Sequence, residues 1–281
     1  GEFLIKEQKS KDIFIPEEFT EEQKMMASAT TEFVEKELDP HRERFEKKDY
    51  KLTEDCMKKA GQLGLLGISI PTEYGGMGMP FNTSILICDK ISGANGSFST
   101  AFGAHTGIGT LPILLYGDDT QKAKYLPKLS TGEWIGCYCL TEPGAGSDAN
   151  SGKTKAVLTE NGEHYLITGQ KMWISNAGFA DVFIVFARIE EDKNITGFIL
   201  QKEMDGINLG EEEQKLGLHS SSTRQVFFNE VKVPIGNMLG GRGNGFKIAM
   251  NALNVGRIKL SAAVIDACRR VTKKSIEYAN E

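Results

Sequence analysis

The sequence predicts a chain in three parts: helical, then β, then helical again. Apolar residues follow a helical period up to about residue 133, alternate in short runs rich in Val, Ile, Phe, Tyr and Thr as far as about residue 234, and then return to a helical period. We therefore expect an N-terminal helical bundle at 1–133, a middle antiparallel β barrel or sandwich at 134–242, and the beginning of a C-terminal helical bundle at 243–281.

The overall composition argues against several classes of protein. The chain has 281 residues, of which 40% are apolar and 25% charged, and its net charge is −5. These values are those of an ordinary globular protein long enough for two domains, and they give no general affinity for nucleic acid or for anionic membranes. We expect no transmembrane segment, because no apolar run reaches the necessary length, and no signal peptide is visible.

The five cysteines form no disulfide or metal-binding pattern. Their number is odd, and Cys137 and Cys139, two residues apart on a predicted strand, have no second Cys or His pair nearby. We expect both side chains on one face of that strand. Buried free thiols in a reducing compartment, and no metal site, are the favoured interpretation.

The N-terminal part begins with a polar, irregular segment at 1–19, which a capped helix follows. Thr20 and Gln23 have the spacing of a capping box, and the apolar residues behind them share one helical face. Pro40 is expected to end or kink this helix, and Thr53 to cap a second, short helix. The run 65–71 is predicted to be extended and to lead into a glycine-rich turn.

The stretch from residue 82 to residue 116 has a helical pattern with many small residues, which let helices approach each other closely. His105 lies in this stretch. It could contact a ligand, but a hydrogen-bonded histidine of the core or its rim is the favoured interpretation. A polar helix is predicted at 118–128.

Seven short strands are predicted in the middle part, with Asn161-Gly162 as a hairpin turn. The candidate strands are 134–140, 153–159, 164–170, 171–175, 182–188, 196–201 and 224–233. In the last part, Gly256 interrupts the helical pattern and could separate two helices.

Two motifs carry the functional signal. The first, Tyr-Cys-Leu-Thr-Glu-Pro-Gly-Ala-Gly-Ser-Asp at 138–148, leaves a strand and turns through glycines, so that backbone N–H groups and a hydroxyl are exposed to a phosphate or to the polar edge of a planar ring. The second, Gly-Gln-Lys-Met-Trp-Ile-Ser-Asn at 169–176, places a flat aromatic beside a hydroxyl, which suits a planar heteroaromatic cofactor. Taken singly, the motifs could instead be a plain loop and a core tryptophan.

Together the two motifs resemble the paired flavin-binding motifs of the acyl-CoA dehydrogenases. The order of helices, strands and helices is also similar to the architecture of that family, and the resemblance covers nearly the whole chain. The amino-acid sequences at 140–143, 173–176 and 254–257 favour the very-long-chain-like branch. The resemblance also implies that the chain is truncated before most of the last helical bundle.

The resemblance implies an FAD-dependent enzyme that removes two hydrogens from an acyl-CoA thioester in fatty acid β-oxidation and gives a trans-2-enoyl-CoA. A carboxylate takes the α proton, the β hydrogen passes to the flavin as hydride, and the electrons leave to an electron-transferring flavoprotein. A homo-oligomer is expected when the last bundle is present. A cytoplasmic location is preferred, with the mitochondrial matrix as the alternative in a eukaryote.

Carried over residue by residue, the resemblance assigns eight positions to FAD. They are Tyr138, Leu140, Thr141, Gly146, Ser147, Trp173, Ile174 and Ser175. Ser147 would also face the coenzyme A part of the substrate, and Asn254 and Arg257 would contact its thioester-pantetheine end. A salt bridge on the helix surface is an equally good interpretation of Arg257. Lys171 and Asp148 are interpreted as local structural charges. The family places its acyl pocket near Phe98, Phe102 and His105.

No catalytic base can be named from the sequence. Some members of the family carry the catalytic Glu just before the matching Arg, where this chain has Gly256. Others carry it well inside the last bundle, so we expect the base beyond Glu281. Glu142, Glu212 and Glu213 are available carboxylates, but their spacing does not support such a role.

Two alternatives to a dehydrogenase remain open. An acyl-CoA oxidase of the same fold would bind FAD and give its electrons to oxygen. A non-catalytic module that holds acyl-CoA or flavin would need no base.

Overall fold

The computed structural model describes residues 5–281, so the first four residues of the polar segment 1–19 lie outside the described part. Within it, seven α-helices precede the strands and one long helix follows them. They are α1 (Glu21–Phe33), α2 (Arg42–Glu46), α3 (Tyr50–Gln62), α4 (Phe81–Ser92), α5 (Gly96–Ala104), α6 (Leu111–Tyr116), α7 (Asp119–Thr131) and α8 (Gly245–Ala279). The predicted order of a helical part, a β part and a further helical part is confirmed. The exact domain boundaries remain predictions.

Helix α1 begins as its sequence predicts, and the helical segment that follows it changes to a 3₁₀ turn at Pro40. The Thr20 hydroxyl accepts a hydrogen bond from the Gln23 amide at 3.2 Å, and the Gln23 side chain accepts one from the Thr20 amide at 2.9 Å. Pro40 lies in a 3₁₀ turn, Asp39–His41, which follows a π-helical turn and precedes α2. Proline has no amide hydrogen to donate, so the helix does not continue through it.

Two local predictions for the N-terminal part were wrong. Asp49, and not Thr53, caps α3, because its carboxylate accepts the Leu52 amide at 2.9 Å. Thr53 lies inside α3, where its buried hydroxyl donates to the Ser220 carbonyl at 2.9 Å. The run 65–71 consists of turns rather than extended backbone. The Gly67 and Ile70 amides bond to carbonyls three residues earlier, and carbonyls of the run accept amides of the glycine-rich turn that follows.

His105 is a hydrogen-bonded core histidine, as favoured from the sequence. It opens the π-helical segment His105–Gly109, and its ring lies between α7 and the first strand. Nε2 lies 2.9 Å from the Leu129 carbonyl, and Nδ1 accepts the Gly136 amide at 3.0 Å, so the ring proton belongs on Nε2. Complete burial lowers the pKa of His105 to about 4, which keeps the ring neutral at pH 7.

Eight strands form the middle part of the described chain. They are β1 (Gly136–Cys139), β2 (Lys155–Leu158), β3 (His164–Ser175), β4 (Val182–Ile189), β5 (Thr196–Gln201), β6 (Ile207–Glu212), β7 (Thr223–Pro234) and β8 (Met238–Leu239). Their order is β6-β7-β3-β2-β4-β5-β8, with β1 also paired to β4. The pairings of β4 with β1 and β2 are parallel and the others are antiparallel, so the sheet is mixed.

The sheet folds over its own core in the manner of a sandwich. Its two halves are joined by only two residue pairs between β2 and β4. One buried cluster combines Cys137, Phe183 and Phe198 from one half with Val226 and Val231 from the other. The two halves therefore pack face to face across this cluster.

Strand β4 has apolar residues on both faces because both faces are buried. Phe183 and Val185 point into the sandwich core, while Val182, Ile184 and Phe186 belong to a second cluster with residues of α7 and α8. This is why the strand is a continuous apolar run and does not alternate. The middle part is thereby fixed to the helices on both sides of it in the sequence.

The strand predictions needed three changes. The segments 164–170 and 171–175 are one strand, β3, which carries a bulge instead of a break. Strands β6 and β8 were missed, because β6 is only partly buried and β8 has two residues. Cys137 and Cys139 share one face and are buried free thiols, as expected; Cys56 and Cys88 are also buried, and Cys268 is exposed.

Helix α8 is continuous through Gly256, which does not divide it. It packs on α4, and Arg269 and Arg270 form ion pairs of 3.0 Å with Asp89 and Asp39. By length and composition α8 is the one described helix that could cross a membrane, which the sequence analysis did not anticipate. The ion pairs and the packing on α4 instead make it a helix of the folded domain.

Candidate functional site

One cavity of about 340 Å³ lies between the first motif, the second motif and α8. All eight positions that the resemblance assigned to FAD line it, together with residues of the π-helical segment and of α8. The lining residues are Ile108, Tyr138, Leu140, Thr141, Gly146, Ser147, Ala149, Trp173, Ile174, Ser175, Met250, Leu253 and Arg257. The two motifs, about thirty residues apart in sequence, therefore form one concave surface.

The floor of the cavity is the end of β1. Tyr138 is buried, and its ring meets that of Phe186 edge-on at 5.1 Å. Its hydroxyl donates to the Ala249 carbonyl of α8 at 3.3 Å, and burial raises the pKa of this phenol well above its usual range. This bond joins β1 to α8, so the position of the cavity floor relative to the α8 wall is fixed.

The loop after β1 closes on itself. The Glu142 amide donates to the Ala145 carbonyl at 3.0 Å, and the Ala145 amide donates back to Glu142 at 3.1 Å, so Pro143 and Gly144 form the corner of a tight turn. A side chain at Gly146 would meet no atom within 4 Å, so the rim of the cavity is open there. The turn presents Gly146 and Ser147 to the cavity.

A buried ion pair ties this turn to the second motif. The Glu142 carboxylate accepts the Lys171 ammonium at 2.7 Å and the backbone amides of Lys153 and Thr154 at 2.5 and 3.1 Å. The Lys171 ammonium also donates to the Leu140 carbonyl at 3.2 Å. Burial opposes ionisation of Glu142, but the charge of Lys171 and these donors outweigh it and lower its pKa. The interpretation of Lys171 as a structural charge is supported by these contacts.

Trp173 reaches the cavity through a bulge in β3. The register between β3 and β7 shifts between Lys171 and Ile174, and Trp173 has a φ of 58°. The Met172 amide donates to the Thr141 carbonyl at 2.8 Å, which fixes the bulge to the first motif. The side chain of Trp173 is 61% exposed, so the alternative of a core tryptophan is excluded. The bulge was not predicted from the sequence, because no residue pattern in the motif indicates one at Trp173.

Three hydroxyls on the cavity wall are free to bind a ligand. Thr141, Ser147 and Ser175 all line the cavity, and their hydroxyls make no hydrogen bond within residues 5–281. They stand beside apolar surface from Leu140 and Ile174. An exposed aromatic ring, an apolar wall and a few unpaired hydroxyls form the type of surface that a planar heteroaromatic ligand covers.

Helix α8 completes the cavity, but only one of its two predicted site residues faces it. Arg257 lines the cavity and donates from Nη1 to the Asn254 side chain at 2.6 Å. Asn254 itself is exposed and does not line the cavity. Arg257 forms no salt bridge within the described residues, so the salt-bridge interpretation receives no support from the geometry. Met250 and Leu253 were missed as lining residues, although the apolar spacing of the helix included Leu253.

The cavity contains no carboxylate from residues 5–281. Glu142, which directly follows the lining residue Thr141, is engaged by Lys171 and by two backbone amides. Glu212 binds Arg224 at 2.7 Å in another part of the sheet. At Gly256 an added side chain would meet no atom within 4 Å. In the described part of the chain, no group of three or more His, Cys, Asp or Glu side chains could hold a metal ion.

Comparisons with known proteins agree with this architecture. Residues 20–133 match the N-terminal domain model of the acyl-CoA dehydrogenases, and residues 137–231 match their middle domain model. A probable acyl-CoA dehydrogenase of Bacillus subtilis (strain 168) is 48% identical over the whole chain, which covers 47% of that protein. A second acyl-CoA dehydrogenase of that organism is 40% identical, over 93% of this chain and 69% of its own length.

The fold has a near match among solved structures. An acyl-CoA dehydrogenase from Bacillus anthracis, in complex with FAD, superimposes with a TM-score of 0.95 at 44% identity, over 100% of this chain and 48% of that one. The chain thus spans about half the length of the first relatives that it matches.

These matches do not distinguish between the substrate branches of the family. Relatives named for very long-chain, short-chain and isovaleryl-CoA substrates, from Homo sapiens, Clostridium acetobutylicum and Pongo abelii, are 41%, 37% and 34% identical. The two domain matches, the relative matched over more than two thirds of its length and the shared fold all lead to one assignment: this chain belongs to the acyl-CoA dehydrogenase family.

Proposed function

We propose that this chain forms the flavin-binding and acyl-CoA-binding part of an FAD-dependent acyl-CoA dehydrogenase. The observation that carries the proposal is the single cavity in which the exposed Trp173, three unbonded hydroxyls and Arg257 meet. The Bacillus anthracis relative with the same fold is a complex with FAD, which supports the identity of the cofactor.

The residues of the cavity fit a flavin. The ring of Trp173 would cover one face of the cofactor and thereby lose its own exposure to water, which favours binding. The hydroxyls of Thr141 and Ser175 would donate to polar atoms of the ring, and the turn at Gly146 and Ser147 would hold the diphosphate side. When bound, FAD supplies hydride acceptance, which no amino acid side chain provides.

The substrate end of the cavity is assigned to Arg257 and Ser147. The guanidinium of Arg257 is exposed at the α8 side and is oriented by its bond to Asn254. It can attract and hold the polar thioester-pantetheine end of an acyl-CoA, while Ser147 donates to the same part from the opposite rim. In this arrangement Asn254 acts through Arg257 rather than by direct contact.

Removal of the α proton needs a base that this cavity does not contain within the described residues. Glu142 cannot serve, because its pKa is lowered and its oxygens are engaged by Lys171 and two amides. We therefore assign the base to the part of the relatives that this chain does not cover. The residues of this chain bind, orient and shield the reactants.

We also propose an electron acceptor, an oligomeric state and a substrate range for the longer protein. One similar structure, with a TM-score of 0.84 and 37% identity, is named for an electron transferring flavoprotein of Acidaminococcus fermentans, and we propose such a protein as the electron acceptor. Homo-oligomerisation of the longer protein, a very-long-chain-like substrate range and a role in fatty acid β-oxidation are further expectations. The bacterial origin of the first relatives supports a cytoplasmic location.

An anaerobic titration of the FAD-loaded chain with acyl-CoA tests the function. We expect the visible flavin band to shift without bleaching, because substrate binds beside the flavin while the base is absent. The variant Arg257→Gln should need about tenfold more acyl-CoA for the same shift, since a charge-assisted contact is lost. An unchanged spectrum at saturating acyl-CoA, in protein that holds FAD, would reject acyl-CoA as the ligand of this site.

A second experiment distinguishes a dehydrogenase from an oxidase. It uses a longer relative, loaded with FAD and reduced by acyl-CoA without oxygen, and measures how fast the flavin is reoxidised. The reduced flavin should be reoxidised quickly by an electron-transferring flavoprotein and slowly by oxygen. Rapid reoxidation by oxygen would instead favour the oxidase alternative. A similar fold occurs in a prolyl acyl carrier protein oxidase, at 27% identity and a TM-score of 0.86.

A further inference from the structure

A second cavity, of about 300 Å³, lies between the N-terminal helices and α8. It shares no lining residue with the cofactor cavity. Ile108 of the π-helical segment lines the first cavity, whereas Thr106 of the same segment lines the second, so this segment separates the two. The walls of the second cavity are mainly apolar and include Leu65, Phe102 and Leu111.

Lys259 brings an ionisable amine into this apolar cavity. Its ammonium lies 3.4 Å from the Thr106 carbonyl and 3.3 Å from the Thr106 hydroxyl, and both contacts are long for a charged donor. Burial lowers the pKa of Lys259, and no carboxylate of the described chain contributes to that pKa.

The titratable groups that face Lys259 do not neutralise it. Burial raises the pKa of the Cys88 thiol and lowers the pKa of His105 to about 4, so both are uncharged at pH 7. Within residues 5–281 the Lys259 ammonium therefore has no anionic partner in this cavity. A buried cation is stable only when an anion or several hydrogen-bond acceptors surround it.

A second polar group of this cavity is also unpaired. Thr110 lines the cavity, its side chain is only 2% exposed, and its hydroxyl has no hydrogen-bond partner among the described residues. Buried hydroxyls are nearly always hydrogen-bonded, so an unpaired one beside a cavity indicates a missing acceptor or donor. Thr110 lies four residues after Thr106, which contacts Lys259.

We propose that the second cavity binds a small amphipathic carboxylate such as a medium-chain fatty acid. The carboxylate accepts hydrogen bonds from the Lys259 ammonium and the Thr110 hydroxyl, and the alkyl chain covers the apolar walls. A purely apolar ligand would leave Lys259 uncompensated. The volume of about 300 Å³ is at the lower end of the range for small-molecule sites, which suits a ligand of this size.

Calorimetric titration of the chain with octanoate tests the proposal, with octanol as the uncharged comparison. Octanoate should bind with one site per chain, and octanol should bind at least tenfold more weakly because it cannot neutralise Lys259. Added octanoate should leave bound FAD in place. The proposal is overturned if octanoate does not bind, if octanol binds as tightly, or if octanoate displaces FAD, which would place it in the first cavity.

Two variants and a matched control locate the site. Lys259→Met keeps the length of the side chain and should weaken octanoate binding at least tenfold, and Thr110→Val should weaken it about threefold to tenfold. Lys247→Met, on an exposed position of the same helix, should leave binding unchanged. Equal affinity of Lys259→Met and the unaltered chain would overturn the assignment.

A labelling experiment on the unaltered chain removes any dependence on the folding of these variants. Reductive methylation followed by mass spectrometry reports how accessible each lysine is. Octanoate should protect Lys259 and leave Lys247 fully labelled. Equal labelling of Lys259 with and without saturating octanoate would contradict the site.

Discussion

Glu142 and Lys171 form a buried ion pair that joins the two sequence motifs of the candidate site. Their charged atoms are 2.7 Å apart, and their side chains are 7% and 2% exposed. The same two residues hold the Leu140 carbonyl and the amides of Lys153 and Thr154. The pair therefore sets the distance between the turn that carries Ser147 and the bulge that carries Trp173.

Removal of one partner of this pair should destabilise the fold strongly. Glu142→Gln and Lys171→Met each leave one buried charge without its counterpart, so we expect each to lower the free energy of unfolding by roughly 3–5 kcal/mol. The double variant leaves no unpaired charge and should recover most of this loss. Urea denaturation of the four proteins measures the effect, and simple additivity of the two single losses would contradict a direct pairing.

The double variant also separates positioning from stability. With both charges removed, the turn and the bulge are no longer held together, so the dissociation constant for FAD should stay raised by about tenfold although stability returns. FAD affinity that returns together with stability would show that the pair supports the fold alone.

Trp173 should contribute to FAD binding and little to folding. Its side chain is 61% exposed, so Trp173→Ala should change the free energy of unfolding by less than about 1 kcal/mol. Loss of the aromatic wall should raise the dissociation constant for FAD by about tenfold, and Trp173→Phe should retain most of the affinity. Quenching of flavin fluorescence measures both dissociation constants.

The second tryptophan of the chain provides the control for Trp173. Trp134 packs beside Tyr125 and under the Lys128 ammonium, away from the cofactor cavity. Trp134→Phe should therefore leave FAD affinity unchanged. A larger loss of FAD affinity in Trp134→Phe than in Trp173→Ala would exclude the proposed position of the flavin.

His105 should make the fold sensitive to acid. Its pKa is lowered to about 4 in the folded chain from 6.5, so the folded state binds fewer protons than the unfolded state between these values. The stabilisation is complete above pH 6.5 and is lost as the pH falls toward 4, with a loss of about 2 kcal/mol at pH 5. His105→Gln, which can still bond the Leu129 carbonyl and the Gly136 amide, should show a shallower decline.

The free energy of unfolding of the unaltered chain and of His105→Gln, measured at pH 7 and at pH 5, tests this prediction. Carboxylates whose pKa is lowered by ion pairs, such as Asp39 and Glu142, lose their contribution only at lower pH and are common to both proteins. Identical pH dependence in the two proteins would show that His105 is not the cause.

Gly256 should tolerate a side chain and gain stability from it. It lies inside the continuous helix α8, and an added Cβ would meet no atom within 4 Å. Because glycine is less favourable than alanine in a helix interior, Gly256→Ala should raise the free energy of unfolding by about 1 kcal/mol. Thermal unfolding measures the gain, and a lower melting temperature would mean that the position is packed against another segment.

The sequence predicted the lining of the cofactor cavity better than the details of the backbone. Positions such as Tyr138 and Ser175 were found because they belong to two contiguous motifs that resemble those of a known family. Met250 and Ile108 were missed because they reach the cavity only through tertiary packing. The predicted break at Gly256 and the predicted cap at Thr53 rested on weak local preferences. Packing in the folded chain overrode them, and the helix is continuous and is capped by Asp49 instead.

The bulge at Trp173 marks the limit of prediction from sequence. Its φ of 58° is unfavourable for a bulky residue and persists because the Met172 amide is bonded to the Thr141 carbonyl thirty-one residues away. No local signal shows such a contact. Asn254 was assigned to the substrate from the family resemblance, but of Asn254 and Arg257 only Arg257 lines the cavity.

Titration of the 281-residue chain with FAD, followed by flavin fluorescence and visible absorbance, tests the central claim most directly. We predict saturable binding of one FAD per chain, with a perturbed visible band and with affinity that falls about tenfold in Trp173→Ala. Failure of the folded chain to bind FAD, or binding that Trp173→Ala and the double variant of Glu142 and Lys171 both leave unchanged, would contradict the assignment of this cavity to the flavin.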